Sequence, residues 1–287
     1  MRKIGILHPG QMGAAVALTA KNSGHEVYWA SEGRSAETSE RARKTGLQDA
    51  GTTARMSEIC DTIVGVCPPE FAERMADEIG ALSYRGLYVD LNAVSPERVR
   101  RIAGLVTANG AGFVDGCIIG QPPAGRGETW IYLCGERAVD AAGCFTEGPL
   151  EAEVIEGGIG QASALKMCFS AHAKGMAALR AAVLGAAHQL GVLEDLERQW
   201  SRSGPPMAQA VKSIEITAPK AWRFIAEMQE IVETFESVGM PGDFHRGAAE
   251  IYRRLAPFKG TEKPDLADAL LRLTLDVSPE LIAHRGK

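Results

Sequence analysis

Two segments of the chain contain residues whose types and spacing suit redox chemistry with a dinucleotide. The first is the turn Gly5-Ile6-Leu7-His8-Pro9-Gly10-Gln11-Met12-Gly13, which lies between a short apolar run and an Ala-rich helical run. Such a turn directs the free N–H groups of a helix towards a pyrophosphate. Gly10 lets the backbone approach the phosphate, and Gly13 lets the helix pack on the strand. His8 replaces the usual first glycine, so an ordinary strand–turn–helix is the alternative.

The second segment is a long helical pattern over residues 162–190, in which Lys166, Ser170 and Lys174 interrupt an apolar run. Residues four apart share a helix face. Lys166 could give a proton to a carbonyl oxygen as hydride reaches its carbon, while Ser170 orients the substrate. Burial near a cation would lower the pKa of this lysine. The alternative is a solvated stripe of extended lysines, and the helical pattern alone favours it.

The residues after the second apolar run bear on the choice of cofactor. Ser31, Arg34 and Ser35 follow the predicted strand His25–Ala30, about 20 residues beyond the turn, where the adenine ribose should lie. Hydroxyls and a cation suit the 2′-phosphate of NADP, whereas a carboxylate suits the free hydroxyls of NAD. Glu32 is the counter-argument, because its carboxylate could serve the ribose. The segment favours NADP over NAD.

The order of elements predicts an α/β region followed by an all-α region. Short apolar strands alternate with helices up to about residue 155, which is typical of a doubly wound, mostly parallel sheet of the Rossmann type. The strands after the second are predicted at 62–68, 86–92, 112–120 and 129–135, with helices at 69–82 and 96–108. Helices are predicted at 162–190, 220–238, 244–255 and 265–275. We therefore expect a dinucleotide-binding domain at 1–158 and a helical substrate and dimerisation domain at 159–287, which begins with a long interdomain helix.

Ligands of open α/β sheets bind beyond the carboxyl ends of the strands. Three such ends are candidates to line the site: Cys67-Pro68-Pro69, Asn92, and the small-residue segment 120–125. We expect Cys67, Pro68 and Asn92 to border the cofactor. A plain turn would need the same residues as the third segment. Ser95 is predicted to be the N-cap of the helix that begins at Pro96.

Composition limits the class of protein. The 287 residues are 45% hydrophobic and 23% charged, with a net charge of -5 that gives no basic field for nucleic acid. We find neither a signal peptide nor an uncharged stretch of membrane-spanning length, and no metal site is expected. The six cysteines form no C-x-x-C pair. Reduced, buried thiols in a cytoplasmic protein are the expected account.

The glycine-rich turn, the polar segment after the second strand and the glycines before Lys166 follow one another along the chain as they do in the β-hydroxyacid dehydrogenase superfamily, which these features resemble. This superfamily includes 3-hydroxyisobutyrate and 6-phosphogluconate dehydrogenases and imine reductases. The turn 8–13 resembles its cofactor loop, for which Pro9, Gly10, Gln11, Met12 and Gly13 are the expected contacts. Gly157-x-x-Gly160 resembles the lead-in to its catalytic lysine, here Lys166. Segments 90–96, 163–168, 220–224 and 244–246 are similar to a branch with a C-terminal domain of unknown function. The resemblance implies an NAD(P)-dependent oxidoreductase that forms a homodimer through its helical domain.

Departures from the family leave the substrate open. Ile119-Gly120-Gln121 replaces the Ser-Gly-Gly that grips a substrate carboxylate, and Ser170 replaces the catalytic asparagine. Glu227 lies in a stretch where the family has a lysine, which would suit an amine-bearing substrate better than an anion. Lys174 and His245 are expected to contact substrate, although a surface role for His245 is equally open.

We therefore expect an NADP-preferring enzyme that moves hydride between nicotinamide and a carbonyl or secondary alcohol of a small molecule, with Lys166 as general acid or base and Ser170 assisting. Lys166 argues against imine chemistry, since imine reductases of this superfamily commonly lack it. The alternatives are an imine or enamine reductase of a biosynthetic pathway and a non-catalytic NADP(H)-binding redox sensor.

Overall fold

The structure is a computed structural model that describes residues 1–123 and 125–274. The described chain divides into two compact units, of which the first is Met1–Met167 and the second begins at Cys168. The functional boundary expected between residues 158 and 159 stays a prediction. Residue 124 and the end of both the helical domain at 159–287 and the helix at 265–275 lie outside the described residues.

In the described part of the first unit, eight strands form one sheet in the order β3-β2-β1-β4-β5-β6-β7-β8. The strands are β1 Lys3–Ile6, β2 Glu26–Trp29, β3 Gln48–Asp49, β4 Thr62–Gly65, β5 Leu87–Asp90, β6 Gly112–Ile119, β7 Thr129–Cys134 and β8 Leu150–Val154. Neighbours pair in parallel, except that β6 and β7 are antiparallel. The strand order reverses between β1 and β4, where doubly wound sheets bind their ligands. The Rossmann-type prediction is confirmed.

Helices cover both faces of this sheet. They are α1 Gln11–Asn22, α2 Ala36–Thr45, α3 Thr53–Ile59, α4 Ala72–Ala81, α5 Pro96–Thr107 and α6 Ala138–Ala142, and a 3-10 turn over Pro69–Phe71 leads into α4. Successive strand residues enter opposite cores: Val64 packs with Ile4 and Ile6 on one face, whereas Ile63 packs with Tyr88 on the other. A parallel sheet must be buried on both faces in this way, which explains its nearly continuous apolar strands.

The second unit is helical throughout its described residues. Helix α7 Gln161–Gln189 crosses from the first unit into the second, and α8 Leu193–Ser203, α9 Met207–Thr217, α10 Ala221–Ser237, α11 Asp243–Leu255 and α12 Leu266–Thr274 follow. No strand occurs between residues 161 and 274, which confirms the predicted α/β-then-α order. Helices α10 and α11 pack through the rings of Phe224 and Tyr252, whose centroids lie 5.1 Å apart. No helix in the described ranges combines the length and apolar character that crossing a bilayer requires.

Candidate cofactor and catalytic site

The glycine-rich turn leaves the N-terminus of α1 open. Gly10 precedes the helix, and no side chain of the described residues caps it. Gly10 N donates to His8 O at 2.8 Å, so the chain folds back on itself just before the helix. A Cβ on Gly13 would lie 2.2 Å from the same His8 oxygen, so glycine is required there. Because the first N–H groups of a helix have no partner within it, this end of α1 is suited to bind an anion.

A cleft of about 390 Å³ lies beside this turn. Its lining includes residues that follow β1, β2 and β4 and residues of α4: His8, Glu32, Arg34, Cys67, Pro68 and Arg74. The cleft therefore lies at the carboxyl ends of the strands that flank the reversal of strand order. Its volume falls within the range of about 300–1,000 Å³ that is usual for small-molecule sites.

The residues predicted to bind a 2′-phosphate are already partly used by the fold. Arg34 Nη2 donates to Leu7 O at 2.9 Å, and Arg34 Nη1 lies 3.4 Å from His8 Nδ1. Ser35 is the N-cap of α2 and accepts from Thr38 N at 3.3 Å. The cation of Arg34 therefore lies at the phosphate turn, and the Ser35 hydroxyl stabilises a helix.

Arg74 is a cation of this cleft that the sequence pattern does not reveal. Its guanidinium lies 5.2 Å from the centre of the Phe71 ring, and it lines the cleft from α4. In the sequence it is one of several charged residues on the exposed face of an amphipathic helix, so no local signal sets it apart.

The ends of β4 and β5 are joined by a buried hydrogen-bond network. Asn92, which is 1% exposed, accepts from Cys67 N at 2.7 Å and donates to Asp90 Oδ2 at 2.9 Å. Both polar atoms of the Asn92 amide thus help to hold the Cys67-Pro68 edge of the cleft in place, and the cofactor contact predicted for Asn92 stays a prediction. Burial raises the pKa of Asp90 to about 7 and that of the Cys67 thiol to about 12, so this thiol is not a nucleophile at neutral pH.

Asp115 anchors the beginning of α7 to β6. Its Oδ2 accepts from the backbone N–H groups of Gly160, Ala162 and Ser163 at 2.8, 3.1 and 3.3 Å, and its Oδ1 accepts from Ser163 Oγ at 2.8 Å. Asp115 is fully buried, and burial raises its pKa against the effect of these hydrogen bonds. A carboxylate at this end of a helix also complements the helix dipole. The local sequence pattern does not mark Asp115 as a functional residue.

Lys166 lies on the same helix and contacts the same strand. Its Nζ donates to the backbone oxygen of Ile118 at 2.7 Å, so the ammonium group is held at the carboxyl end of β6. The side chain is partly buried, and burial lowers the pKa of Lys166. Asp115 and Ile118 are three residues apart in β6, as are Ser163 and Lys166 in α7. The two contacts therefore fix the register between strand and lysine.

The third strand end forms a turn. Gly120 has a φ of +136°, and a Cβ there would lie 2.4 Å from Thr129 Oγ1. Ile119 is buried, whereas Gly120 and Gln121 are exposed. Glycine is thus required by the backbone of this turn, and the substrate contacts proposed for these three residues stay predictions.

The remaining predicted residues lie in the second unit. Ser170 is 1% exposed. Lys174 forms a largely buried ion pair with Glu227, and its Nζ lies 4.9 Å from the centre of the Phe224 ring. The charge of Glu227 is thus already compensated within the protein. The roles predicted for Ser170 and Lys174 stay predictions.

His245 is not a surface residue, in contrast to one of the two roles expected for it. It is 4% exposed, and its ring lies between Phe235 and Phe244 at 4.8 and 5.1 Å. Burial lowers its pKa. His245 lies on the buried face of α11, whereas its sequence neighbour Phe244 is 50% exposed.

The cysteines and possible metal ligands give no further site. In the described residues all six cysteines are free thiols, and only Cys168 is exposed. Across residues 1–123 and 125–274, no group of three or more His, Cys, Asp or Glu side chains could hold a metal ion.

Two family profiles match the chain. One, described as NADP oxidoreductase coenzyme F420-dependent, matches residues 3–94, and a domain of unknown function, DUF1932, matches residues 187–255. Among curated proteins, an uncharacterised 28.5 kDa protein of Methanothermus fervidus is 27% identical over 194 residues, which is 68% of this chain and 74% of that protein.

Solved structures give the fold. The conserved protein MTH1747, described as of unknown function and structurally similar to 3-hydroxyacid dehydrogenases, is 28% identical with a TM-score of 0.68, covering 94% of this chain and 99% of that one. A 3-hydroxyisobutyrate dehydrogenase of Mycobacterium tuberculosis is 17% identical with a TM-score of 0.68, covering 96% and 99%. An imine reductase of Myxococcus stipitatus in complex with NADP+ is 22% identical with a TM-score of 0.56, covering 94% and 99%.

The cofactor turn, the sheet and the N-terminal match define the chain as an NAD(P)-dependent oxidoreductase. It has the fold of the 3-hydroxyacid dehydrogenases together with a C-terminal domain of unknown function, as the sequence resemblance implied.

Proposed function

We propose that this chain transfers hydride between NADP and a carbonyl or secondary alcohol of a small molecule, with Lys166 as general acid or base. The observation that carries the proposal is the position of Lys166. Its Nζ lies 2.7 Å from Ile118 O at the carboxyl edge of the same sheet that holds the cleft. Burial lowers the pKa of Lys166 below its usual value, and a lysine with a lowered pKa gives up its proton more readily.

The residues of the cleft fit a dinucleotide. The open N-terminus of α1, with Arg34 and Arg74, offers positive charge for phosphates, and Pro68 offers an apolar edge. When bound, the nicotinamide cofactor supplies or accepts the hydride.

The proton is handled by Lys166. An ammonium group has three N–H donors, of which one is used by Ile118 O. This contact orients the group and leaves two donors for the substrate oxygen. In reduction, Nζ gives a proton to the carbonyl oxygen; in oxidation, the neutral amine takes the proton of the alcohol. Ser170 would assist by orienting the substrate.

The preference for NADP rests on charge. Arg34 and Arg74 line the cleft, and Ser31 lies partly buried after β2. The carboxylates of Glu32 and Glu78 line the same cleft and oppose the binding of the 2′-phosphate. Substituting Arg74→Gln should weaken NADPH binding more than NADH binding, because only NADPH carries the 2′-phosphate. Equal losses for the two cofactors would contradict the preference.

An imine or enamine reductase is the second candidate. It is favoured by Ile119-Gly120-Gln121, which offers no hydroxyl to grip a substrate carboxylate, and by the fold shared with an NADP+-bound imine reductase. Lys166 favours carbonyl chemistry instead. A screen of aldehydes, β-hydroxy acids and cyclic imines with NADPH separates the two candidates.

We also propose that the protein is a homodimer. Helix α7 exposes four apolar side chains, Leu165, Phe169, Met176 and Leu179, each between 37% and 49% exposed. Their spacings of four, seven and three residues place them along one stripe of the helix. Such a stripe on a long helix is typical of a helix–helix interface. A second copy of the chain would cover it.

The central experiment is the Lys166→Ala variant. A positioned proton donor contributes about 10²–10⁴-fold, so turnover should fall by this factor while the Kd of NADPH stays unchanged. The matched control is Lys212→Ala, since Lys212 is an exposed lysine of α9. Unchanged turnover in Lys166→Ala would remove this residue from the mechanism. Tight NADPH binding with no turnover of any substrate would instead indicate the redox sensor.

A further inference from the structure

His8 occupies the phosphate turn at the position where a glycine is usual. Its imidazole borders the cleft, and a Cβ on Gly10 would lie 3.4 Å from His8 Cδ2 and 3.6 Å from His8 Nε2. The ring therefore lies beside the residue that precedes α1. Any anion held by the N–H groups of this helix would come close to the imidazole.

Two guanidinium groups approach the same turn. Arg34 Nη1 lies 3.4 Å from His8 Nδ1, and Arg41 Nη1 donates to Pro9 O at 3.3 Å. Because an arginine N–H can only donate, Nδ1 must be the acceptor, and His8 is then neutral with its proton on Nε2. Burial, and then Arg34 and Arg41, lower the pKa of His8. The free protein thus holds a neutral imidazole in a strongly positive setting.

The carboxylates nearby do not offset this charge at His8. Glu37 is paired with Arg41 on α2. Burial, Arg34 and Arg41 each lower the pKa of His8, and no acidic group of the cleft raises it. The other charged and titratable groups that line the cleft, from the segments after β2 and β4 and from α4, are Glu32, Cys67, Arg74 and Glu78.

We propose that His8 is a phosphate ligand of the cofactor site and that it takes up one proton from solvent when the dinucleotide binds. The inference rests on the proposed function in one respect, namely that the cofactor is a nicotinamide dinucleotide. A phosphate beside the turn supplies the negative charge that stabilises the imidazolium form. Once Nδ1 carries a proton it can no longer accept from Arg34, so the Arg34 N–H turns to the anion as well. One contact within the protein is thus exchanged for two charge-assisted contacts with phosphate.

The consequence is a cofactor affinity that depends on pH. Between the pKa of His8 in the free protein and its higher value in the complex, binding takes up a proton, so Kd rises with pH by up to about tenfold per pH unit. Above the higher value and below the lower one, Kd is independent of His8. NADH is the better probe, because the 2′-phosphate of NADPH itself ionises near pH 6, as phosphate monoesters do.

The test measures the Kd of NADH by fluorescence titration between pH 5 and 9, together with proton uptake by calorimetry in two buffers of different ionisation enthalpy. The variants are His8→Gln, His8→Gly in case the amide disturbs the turn, and the control His188→Gln, whose histidine is exposed at the end of α7. For wild type and the control, Kd should rise with pH and binding should take up protons. Both His8 variants should lose this rise and this uptake.

The outcomes are distinguishable. Wild-type pH dependence and proton uptake that persist in both His8 variants would overturn the inference while leaving the oxidoreductase proposal intact. Failure of NADH and NADPH to bind at any pH would overturn the proposed function itself. If only NADPH binds measurably, the difference in proton uptake between wild type and the His8 variants gives the same decision.

Discussion

Substitution of Asp115 tests whether one buried carboxylate holds the start of α7 against β6. In Asp115→Ala, the buried N–H groups of Gly160 and Ser163 and the Ser163 hydroxyl lose their acceptor, whereas Ala162 N keeps Cys134 Sγ as an acceptor at 3.2 Å. A buried donor without a partner costs about 1–3 kcal/mol. These two N–H groups and the hydroxyl, each at the lower end of this range, give a loss of about 3 kcal/mol in the free energy of unfolding. For a unit of the size of Met1–Met167, that corresponds to a fall in Tm of about 6–12 °C.

Two milder variants separate the hydrogen bonds from the charge. Asp115→Asn keeps an oxygen for the three N–H groups, and its amide NH₂ can donate to Ser163 Oγ, since a hydroxyl can also accept. It also removes the negative charge that burial disfavours, as the raised pKa of this carboxyl group indicates. We therefore expect a loss below about 1 kcal/mol in the free energy of unfolding. Ser163→Ala removes one hydrogen bond to the carboxylate and should cost about 1–2 kcal/mol.

The assay is thermal and urea unfolding followed by circular dichroism at pH 7, with turnover measured on the same samples. Lys166 lies one helical turn beyond Ser163, so Asp115→Ala should also lower turnover, whereas Asp115→Asn should largely retain it. If Asp115→Ala proves as stable as Asp115→Asn, the N–H groups have found other partners and the anchoring argument is wrong.

Four further predictions follow from named contacts. Reduction should slow and oxidation should accelerate as the pH rises through the lowered pKa of Lys166, since reduction needs the ammonium and oxidation the amine; pH profiles of kcat/KM in both directions check this. Gly13→Ala places a methyl group 2.2 Å from His8 O and should weaken cofactor binding at least about tenfold, measured by fluorescence titration. The pKa of Asp90 is raised from 3.8 to about 7, so the folded state loses stability as the pH rises through this range, by up to about 4 kcal/mol; urea unfolding of Asp90→Asn should lack that decline. Phe169→Glu places a charge on the exposed stripe of α7 and should convert a dimer to a monomer, measured by light scattering.

Matched controls separate these effects from general damage. Gly104→Ala adds a methyl group where nothing lies within 4 Å, and Val139→Glu adds a charge at a site that is 76% exposed in the first unit. Gly104→Ala should leave the cofactor affinity unchanged, and Val139→Glu should leave the molecular mass of the particle in solution unchanged. A monomeric wild type, a Gly13→Ala variant with normal affinity, or an Asp90→Asn variant with the wild-type pH dependence would each contradict its own argument.

The sequence alone determined the elements that depend on local pattern. Apolar strand runs, the glycine-rich turn and the long helix are encoded within short windows. The order β1, turn, α1 could therefore be predicted, and the bounds of α7 to within one residue at each end. Ser95 is confirmed as the N-cap of α5, since its side chain accepts from Arg98 N. This contact could be predicted because capping joins residues only three apart in the sequence.

Only the tertiary structure decided what buried polar side chains do. Asp115 meets its partners at and just before the start of α7, 45 to 48 residues away, and Arg34 meets His8 across 26 residues. Sequence periodicity records which face of an element is buried, but not which distant group satisfies a buried carboxylate or cation. For the same reason it could not show that Asn92 and Ser35 serve the fold or that His245 is buried. Those contacts exist only once the chain has folded, because an unpaired polar group in the core is too costly to leave without a partner.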